Sequence, residues 1–211
     1  MIELGIALGL LLLIACSSLY NRRKLRGKRQ SKAAKGIQQL SSVMDLIQRL
    51  QRHRGLCANL SDSNQAEQQQ LSLEVDNLWA PLLDEHYGGN KNRVQIQHIN
   101  WQKIQRSPVN SFMPHCELIE KLLHELTVIA DSCSLTATNN GHDNQDLWQN
   151  LLKRPHYAES LARIRGLGNK AASLGHCPAA IRVQLQYLLL QMKENSVVDL
   201  KQNQIEELVR E

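Results

Sequence analysis

An uncharged apolar stretch near the N-terminus, followed at once by a basic stretch, constrains this chain most. Residues 4–20 contain no charged side chain over 17 positions, and a membrane-spanning helix needs about 17–25 such residues. Residues 22–35 then carry eight Lys or Arg and no acid. Because positive charge stays on the cytoplasmic side, we predict a single-pass transmembrane anchor at residues 2–20. A basic juxtamembrane segment at 21–35 would then lead into a cytoplasmic domain at the bacterial inner membrane.

Lipidation offers an alternative interpretation of the apolar segment. Residues 13–16 (LIAC) resemble a bacterial lipoprotein cleavage site with Cys16 as the lipidated residue. In such signals, however, basic residues precede the apolar core, and here they follow it. The transmembrane anchor therefore remains the main prediction, and lipidation at Cys16 remains the alternative.

The composition of residues 36–211 favours helices and excludes two classes of protein. Aromatic residues make up 4% of the chain, whereas strands are enriched in aromatic and β-branched residues. After residue 35, 17 basic residues face 19 acidic ones, which does not fit a nucleic-acid-binding domain. The five cysteines are odd in number and lack a C-x-x-C spacing. Reduced thiols in a cytosol therefore fit better than a disulfide framework.

Apolar residues spaced three and four apart predict an antiparallel helix bundle in residues 36–211. The strongest amphipathic pattern lies in residues 112–133. The predicted helices are 36–60, 65–86, 91–105, 112–133, 145–153, 156–174 and 179–194, the last with an extension towards Arg210. The fold class expected is therefore all-α, with an N-terminal transmembrane helix followed by the bundle.

Arg54 is the residue that most strongly suggests a binding site. The apolar seam of the first bundle helix consists of Leu40, Val43, Ile47 and Leu50. Arg54 continues this seam, whereas Arg52 points away from it. A buried guanidinium is costly unless it is paired, so an internal acid, backbone carbonyls or an anionic ligand must meet it. We predict an anionic ligand, with no acid of the chain neutralising the arginine.

A second signal is the glycine-bearing segment at residues 164–168 (IRGLG). A glycine inside a helix costs about 1 kcal/mol relative to alanine, so it usually serves close packing or a site. The face predicted to be buried consists of Tyr157, Leu161, Ile164, Gly168, Ala171 and Gly175. Arg165 lies at the edge of this face. Close helix packing is the alternative to a small-ligand site there.

Residues 50–55 (LQRHRG) resemble the Leu-Gln-x-Glu-Arg-Gly signature of the nitrate- and nitrite-sensing (NIT) domain family, and His53 stands where the family has Glu. Residues 164–168 are similar to an Arg-Gly-bearing helix in the second half of such domains. The family is all-helical, occurs in bacterial sensor proteins, and holds a small oxyanion between interior arginines. The resemblance implies a ligand site that comprises Arg54 and, more weakly, Arg165, with Arg52 and His53 beside the motif.

The sequence therefore predicts a non-enzymatic sensory domain that binds nitrate or nitrite and signals to an unknown protein partner. A guanidinium offers a planar fork of donors that matches a planar oxyanion. The main alternative is a membrane-tethered structural or adaptor bundle whose arginines pair internally and which has no small-molecule ligand. No nucleic-acid partner and no cofactor are expected, and a homodimer remains open.

Catalytic and metal sites are not predicted. No Gly-rich phosphate loop, nucleophile elbow or H-E-x-x-H motif occurs. His115-Cys116 and His176-Cys177 are two His-Cys pairs, and Cys57 is a further thiol. Adjacent helical residues diverge by about 100°, so one such pair rarely holds one ion, and the known zinc spacings are absent.

Overall fold

The computed structural model describes residues 2–58, 64–84, 90–108, 111–133, 135, 149 and 153–193, and only the backbone of residues 2–19, 21, 22, 26 and 29. The helices in these ranges are α1 (Ile2–Ala58), α2 (Gln65–Leu83), α3 (Lys91–Arg106), α4 (Phe112–Ser132), α5 (Arg154–Ser173) and α6 (179–193). No strand occurs in the described ranges. The predicted all-α fold is confirmed.

α1 is far longer than the bundle helix expected from the sequence. Its 57 residues join the predicted anchor, the basic segment and the first bundle helix without interruption. The stretch between residues 20 and 36 contains no proline and is rich in Lys, Arg and Ala, which are good helix formers. The isolated glycines at positions 27 and 36 therefore do not end the helix.

The described residues include no helix that is long and apolar enough to cross a membrane. The side chains of the predicted span at residues 2–20, Tyr20 apart, lie outside the described set.

The other helices match the predicted boundaries to within about three residues. Asn90 caps α3 by accepting a hydrogen bond of 3.1 Å from the backbone N–H of Arg93, which is the preferred chemistry for a helix start. The predicted helix at 145–153 lies outside the described residues except for positions 149 and 153, and so does any extension of α6 beyond residue 193.

The main core lies among α1, α2, α3 and α4. α1 packs against α2 and α4, while α3 packs against α2 and α4 in turn. Trp79 and Trp101 are the largest fully buried side chains, as expected of core residues. The aliphatic residues that surround them include Leu46, Leu50, Val75, Leu122 and Leu126. Trp101 donates a hydrogen bond of 2.7 Å from Nε1 to Asp76, so its polar atom is satisfied.

α5 buries a different face from the one predicted. Pro155, Glu159 and Leu167 are its buried residues, whereas Tyr157 and Leu161 are exposed. Leu167 forms a second, smaller core with Ile181 and Leu188 of α6, against which Phe112, Ile164 and Ala171 pack. The prediction was wrong for Tyr157 and Leu161, whereas Ile164 and Ala171 do pack. It followed apolar side chains alone and so missed that α5 turns its acidic residue inward to meet a charge on α1.

Gly36 allows α1 to approach the end of α4 closely. A Cβ atom at this position would lie 2.5 Å from Cβ of Cys133, whereas a Cβ atom at Gly27 would meet nothing within 4 Å. Adding one methyl group to a filled core costs about 1–3 kcal/mol. At an open helical position, alanine gains about 0.5–1 kcal/mol over glycine.

We therefore expect Gly36→Ala to lower the thermal midpoint by about 2–12 °C, at about 2–4 °C per kcal/mol for a chain of this size. Its control, Gly27→Ala, should leave the midpoint unchanged or raise it slightly. Circular dichroism during heating measures both. An equal upward shift in the two variants would show that α1 and α4 are not this close.

Candidate functional site

The C-terminal part of α1 carries charged and polar side chains into the protein interior. His53 and Arg54 are 1% and 3% exposed, and Cys57 follows one turn later at 8%. Successive helical residues point about 100° apart, so His53 and Arg54 meet different neighbours. We call the buried polar centre the set formed by His53, Arg54, Cys57, His115, Cys116 and Glu159.

Arg54 forms a two-pronged ion pair with Glu159 of α5. Its Nη1 donates to Oε1 of Glu159 and its Nη2 donates to Oε2 at 3.1 Å. Nη1 also donates to Sγ of Cys116 at 3.0 Å, and Cζ lies 5.4 Å from the centre of the Phe112 ring. Gln51 donates from Nε2 to Oε2 of Glu159 at 2.9 Å. Both oxygens of the carboxylate and the guanidinium are thereby engaged.

The partner of Arg54 corrects one expectation from the sequence. Arg54 is buried as predicted, but an acid of the chain neutralises it, which was not predicted. Burial opposes the charged form of Arg54, yet the hydrogen bonds and negative charge of Glu159 outweigh this and raise the arginine pKa. The alternative in which the arginine pairs internally therefore describes Arg54 correctly.

The structure does not bring the other predicted ligand residues to Arg54. Arg52 is exposed, as its position predicted, and its Nη2 donates to Oε1 of Glu67 on α2. Arg165 is also exposed, because α5 buries the face that carries Glu159. Arg163 is the partly buried arginine of α5, and it pairs with Glu120 of α4 at 3.2 Å.

His53 belongs to a separate part of the buried polar centre, together with His115 of α4. Nδ1 of His53 lies 2.8 Å from Nε2 of His115 and 3.5 Å from Sγ of Cys57. Nε2 of His53 lies 3.1 Å from Oγ of Ser72 on α2. Nδ1 of His115 lies 2.7 Å from the backbone carbonyl oxygen of Ser111. Because a carbonyl only accepts, Nδ1 of His115 is the donor.

Burial keeps these three side chains uncharged near neutral pH. It lowers the pKa of His53 to about 4 and that of His115 to about 3. Burial also raises the pKa of the Cys57 thiol. A nucleophilic cysteine needs the opposite shift, which would produce a thiolate. The raised pKa therefore disfavours covalent catalysis by Cys57, although Sγ of Cys57 lies only 3.5 Å from Nδ1 of His53.

Sequence reasoning missed Glu159 and the grouping of Cys57 with His53 and His115. Two features of the sequence could have indicated part of these contacts. Glu159 is the only acidic residue of α5, so it was the natural partner for an inward arginine. His53 and Cys57 are four residues apart and share a helix face. Only the packing of α4 on α1 could reveal that His115 joins them.

Two surface grooves in the described part of the chain lie away from Arg54. One groove of about 320 Å³ is lined by Lys103 and Ser107 of the α3 end and by Ser111, Glu117 and Lys121 near α4. Another also lies between α3 and α4. Neither is lined by Arg52, Arg54, His53 or Arg165.

Comparison with known proteins identifies no relative: the chain matches no protein-family model, no curated protein and no solved structure.

Proposed function

We propose that this chain is a membrane-tethered, non-enzymatic regulatory adaptor in which a helical bundle presents α5 and α6 to a protein partner. One observation carries the proposal: the buried Arg54–Glu159 pair joins α1 to α5. Buried ion pairs contribute little net stability but can fix how elements pack. The pair therefore couples the helix that begins with the proposed anchor at residues 2–20 to the helices at the other end of the chain.

The surface of α6 supports the role of a docking element. Val183, Tyr187, Leu189 and Leu190 are all more than half exposed. Apolar residues exposed singly are normal, but a contiguous apolar patch is typical of interaction surfaces. Val183, Tyr187 and Leu190 are spaced by four and three residues and so share one face of α6. Tyrosine in particular is enriched where proteins bind one another.

Photo-crosslinking in cells tests the adaptor proposal. A photoreactive residue at Tyr187 should give a discrete adduct in the membrane fraction. The same residue at the exposed Ile96 of α3 is the matched control and should give none. Deletion of residues 2–20 should move the protein to the soluble fraction, because the proposed tether is then gone. Equal crosslinking at both positions, or retention of the truncated chain in membranes, would contradict the proposal.

Oxyanion sensing is the second candidate function, and it is favoured by the carboxylate that Arg54 binds. The Arg54 guanidinium donates to both oxygens of the planar Glu159 carboxylate. Nitrate and nitrite present their oxygens in a similar planar arrangement. A sensor of this kind would exchange the Glu159 carboxylate for the anion, which would release α5 from α1. The exchange would couple anion binding to the packing of the helices.

Thermal unfolding of the full chain in nitrate and in matched chloride tests this second candidate. A ligand at 100 times its Kd adds about 2.7 kcal/mol of stability. We expect a higher midpoint in nitrate for the wild type and for the exposed-arginine control Arg165→Gln. Arg54→Gln should abolish the difference. Identical midpoints in the two salts for the wild type would remove the oxyanion candidate and leave the adaptor.

A further inference from the structure

We propose that His53, Cys57 and His115 form a buried site for one divalent transition-metal ion, and that Zn²⁺ fits this donor set best. One ligand atom from each side chain can be chosen so that all three lie within 4.8 Å of one another. All three residues are buried. Two imidazole nitrogens and a thiolate sulfur are the ligand types that zinc takes in proteins. The proposed site lies beside the Arg54–Glu159 pair and does not use it.

Two of the three distances between donor atoms are close to those of a zinc site. With Zn–N bonds of about 2.0–2.1 Å and a Zn–S bond of about 2.3 Å, tetrahedral geometry separates two nitrogens by about 3.3 Å and a nitrogen and a sulfur by about 3.6 Å. Nδ1 of His53 already lies 3.5 Å from Sγ of Cys57. It lies 2.8 Å from Nε2 of His115, so the two rings need to separate by only about half an ångström.

Hydrogen bonds on the far side of each ligand also fit a metal site. Metal-bound histidines almost always donate their second ring N–H to an oxygen, which fixes the ring orientation. Nε2 of His53 faces Oγ of Ser72 at 3.1 Å, and Nδ1 of His115 faces the carbonyl oxygen of Ser111 at 2.7 Å. Gln68 donates from Nε2 to Sγ of Cys57 at 3.2 Å, a contact that a thiolate would strengthen.

The polar contacts around His53 and His115 outnumber the protons available to them, which favours a cation between the two rings. The contacts run from the Ser111 carbonyl through His115, His53 and Ser72 to the backbone carbonyl of Gln68, where Ser72 Oγ donates at 3.0 Å. Four contacts link these groups, but two neutral imidazoles and one hydroxyl supply three protons. A metal ion between His53 and His115 replaces the missing proton and leaves every remaining contact with one donor.

The hydroxyl of Ser111 adds an observation beside the three ligands. Its Oγ is buried and, among the described residues, has no hydrogen-bond partner of ordinary geometry. Buried polar atoms are rarely left in this state. Burial raises the pKa of the Cys57 thiol, and an interaction with the Ser111 hydroxyl lowers it and so offsets part of that effect. The hydroxyl, or a water bound to it, can complete a fourth position.

Binding would be a ligand exchange without electron transfer. Two Zn–N bonds and one Zn–S bond form as three bound waters leave the ion, and the thiol proton of Cys57 leaves to solvent. The ring proton of His53 moves from Nδ1 to Nε2, where Ser72 Oγ accepts it. Each imidazole must be neutral to bind metal. His115 already presents an unprotonated Nε2, because its Nδ1 donates to the Ser111 carbonyl, and His53 needs only the change of tautomer just described.

Cobalt substitution of the reduced full chain in mild detergent tests the site. Co²⁺ is the probe, because tetrahedral Co²⁺ has visible d–d bands and a thiolate ligand adds a charge-transfer band in the near ultraviolet. We expect both features to saturate at one Co²⁺ per chain and to disappear on addition of Zn²⁺. A saturated titration without the charge-transfer band, or no saturation at all, would overturn the proposal.

Thiol protection in the wild type locates the ion without relying on variants that might not fold. Zn²⁺ should slow alkylation of Cys57 at least tenfold, whereas Cys177 should react at the same rate with and without it.

Cys57→Ser should lose the charge-transfer band, and His115→Gln should weaken binding at least tenfold. The matched controls Cys177→Ser and His176→Gln should bind as the wild type does. Protection of Cys177 instead of Cys57 would place the ion elsewhere and overturn the proposal.

Discussion

Replacing Glu159 with glutamine should lower the free energy of unfolding by about 3–5 kcal/mol, the cost of leaving a buried charge without its partner. Glutamine keeps the size of the side chain but removes the negative charge that faces Arg54. Two Arg54 donors would then face a neutral amide in an interior from which water is excluded. Urea unfolding of the full chain in mild detergent, followed by circular dichroism, measures the loss.

The matched control is Glu120→Gln, which breaks the Arg163–Glu120 pair between α4 and α5. These two side chains are 24% and 63% exposed, and exposed ion pairs contribute about 0–1 kcal/mol. An equal loss in Glu159→Gln and Glu120→Gln would mean that Arg54 reaches water. Arg54→Met combined with Glu159→Leu should recover most of the stability, because an apolar pair of similar volume usually replaces a buried ion pair without loss.

The same variant separates the two candidate functions. In Glu159→Gln the carboxylate no longer competes for Arg54, so a site built for oxyanions would be open. Nitrate should then raise the midpoint of Glu159→Gln more than that of the wild type, whereas matched chloride should not. If both salts act equally on Glu159→Gln, the pair is an internal tie between α1 and α5 and the oxyanion candidate fails.

Helix placement was predictable because it depends on local pattern. In α4, the apolar residues that follow Phe112 at steps of three and four are all buried: Cys116, Ile119, Leu122, Leu126 and Ile129. The inward direction of Arg54 and the outward direction of Arg52 followed from the same geometry, and both are confirmed. Periodicity succeeds at such positions because one helix face has one environment.

The partners of these side chains were not predictable, because they come from distant helices. Glu159 is 105 residues from Arg54, and His115 is 62 residues from His53. Apolar periodicity on α5 pointed to the face with Tyr157 and Leu161, both of which are exposed. The face that α5 buries instead carries Glu159 together with Pro155 and Leu167. Apolar periodicity within one helix carries no information about an ion pair with another helix, such as Arg54–Glu159.

Stability should also fall steeply on mild acidification, by about 2–4 kcal/mol between pH 7 and pH 5. In the unfolded chain a histidine has a pKa of about 6.5, whereas in the folded chain burial lowers the pKa of His53 to about 4 and that of His115 to about 3. The unfolded state therefore binds more protons below pH 6.5. The contribution of these rings is present above about pH 6.5 and is lost as the pH falls towards 4 for His53 and towards 3 for His115.

Urea unfolding across this pH range, with a chelator present to keep metal away, checks the prediction. The charged and titratable groups that face the two rings are the Arg54 guanidinium and the Cys57 thiol, and the uncharged ones include the Ser72 hydroxyl and the Ser111 carbonyl. None of these carries a negative charge at neutral pH. His115→Gln should reduce the pH dependence by about half, since one of two equivalent titrations is removed. The exposed control His176→Gln should keep the full wild-type dependence. Parallel curves for both variants would show that His115 is accessible to protons in the folded protein, and the buried polar centre would then be open to water.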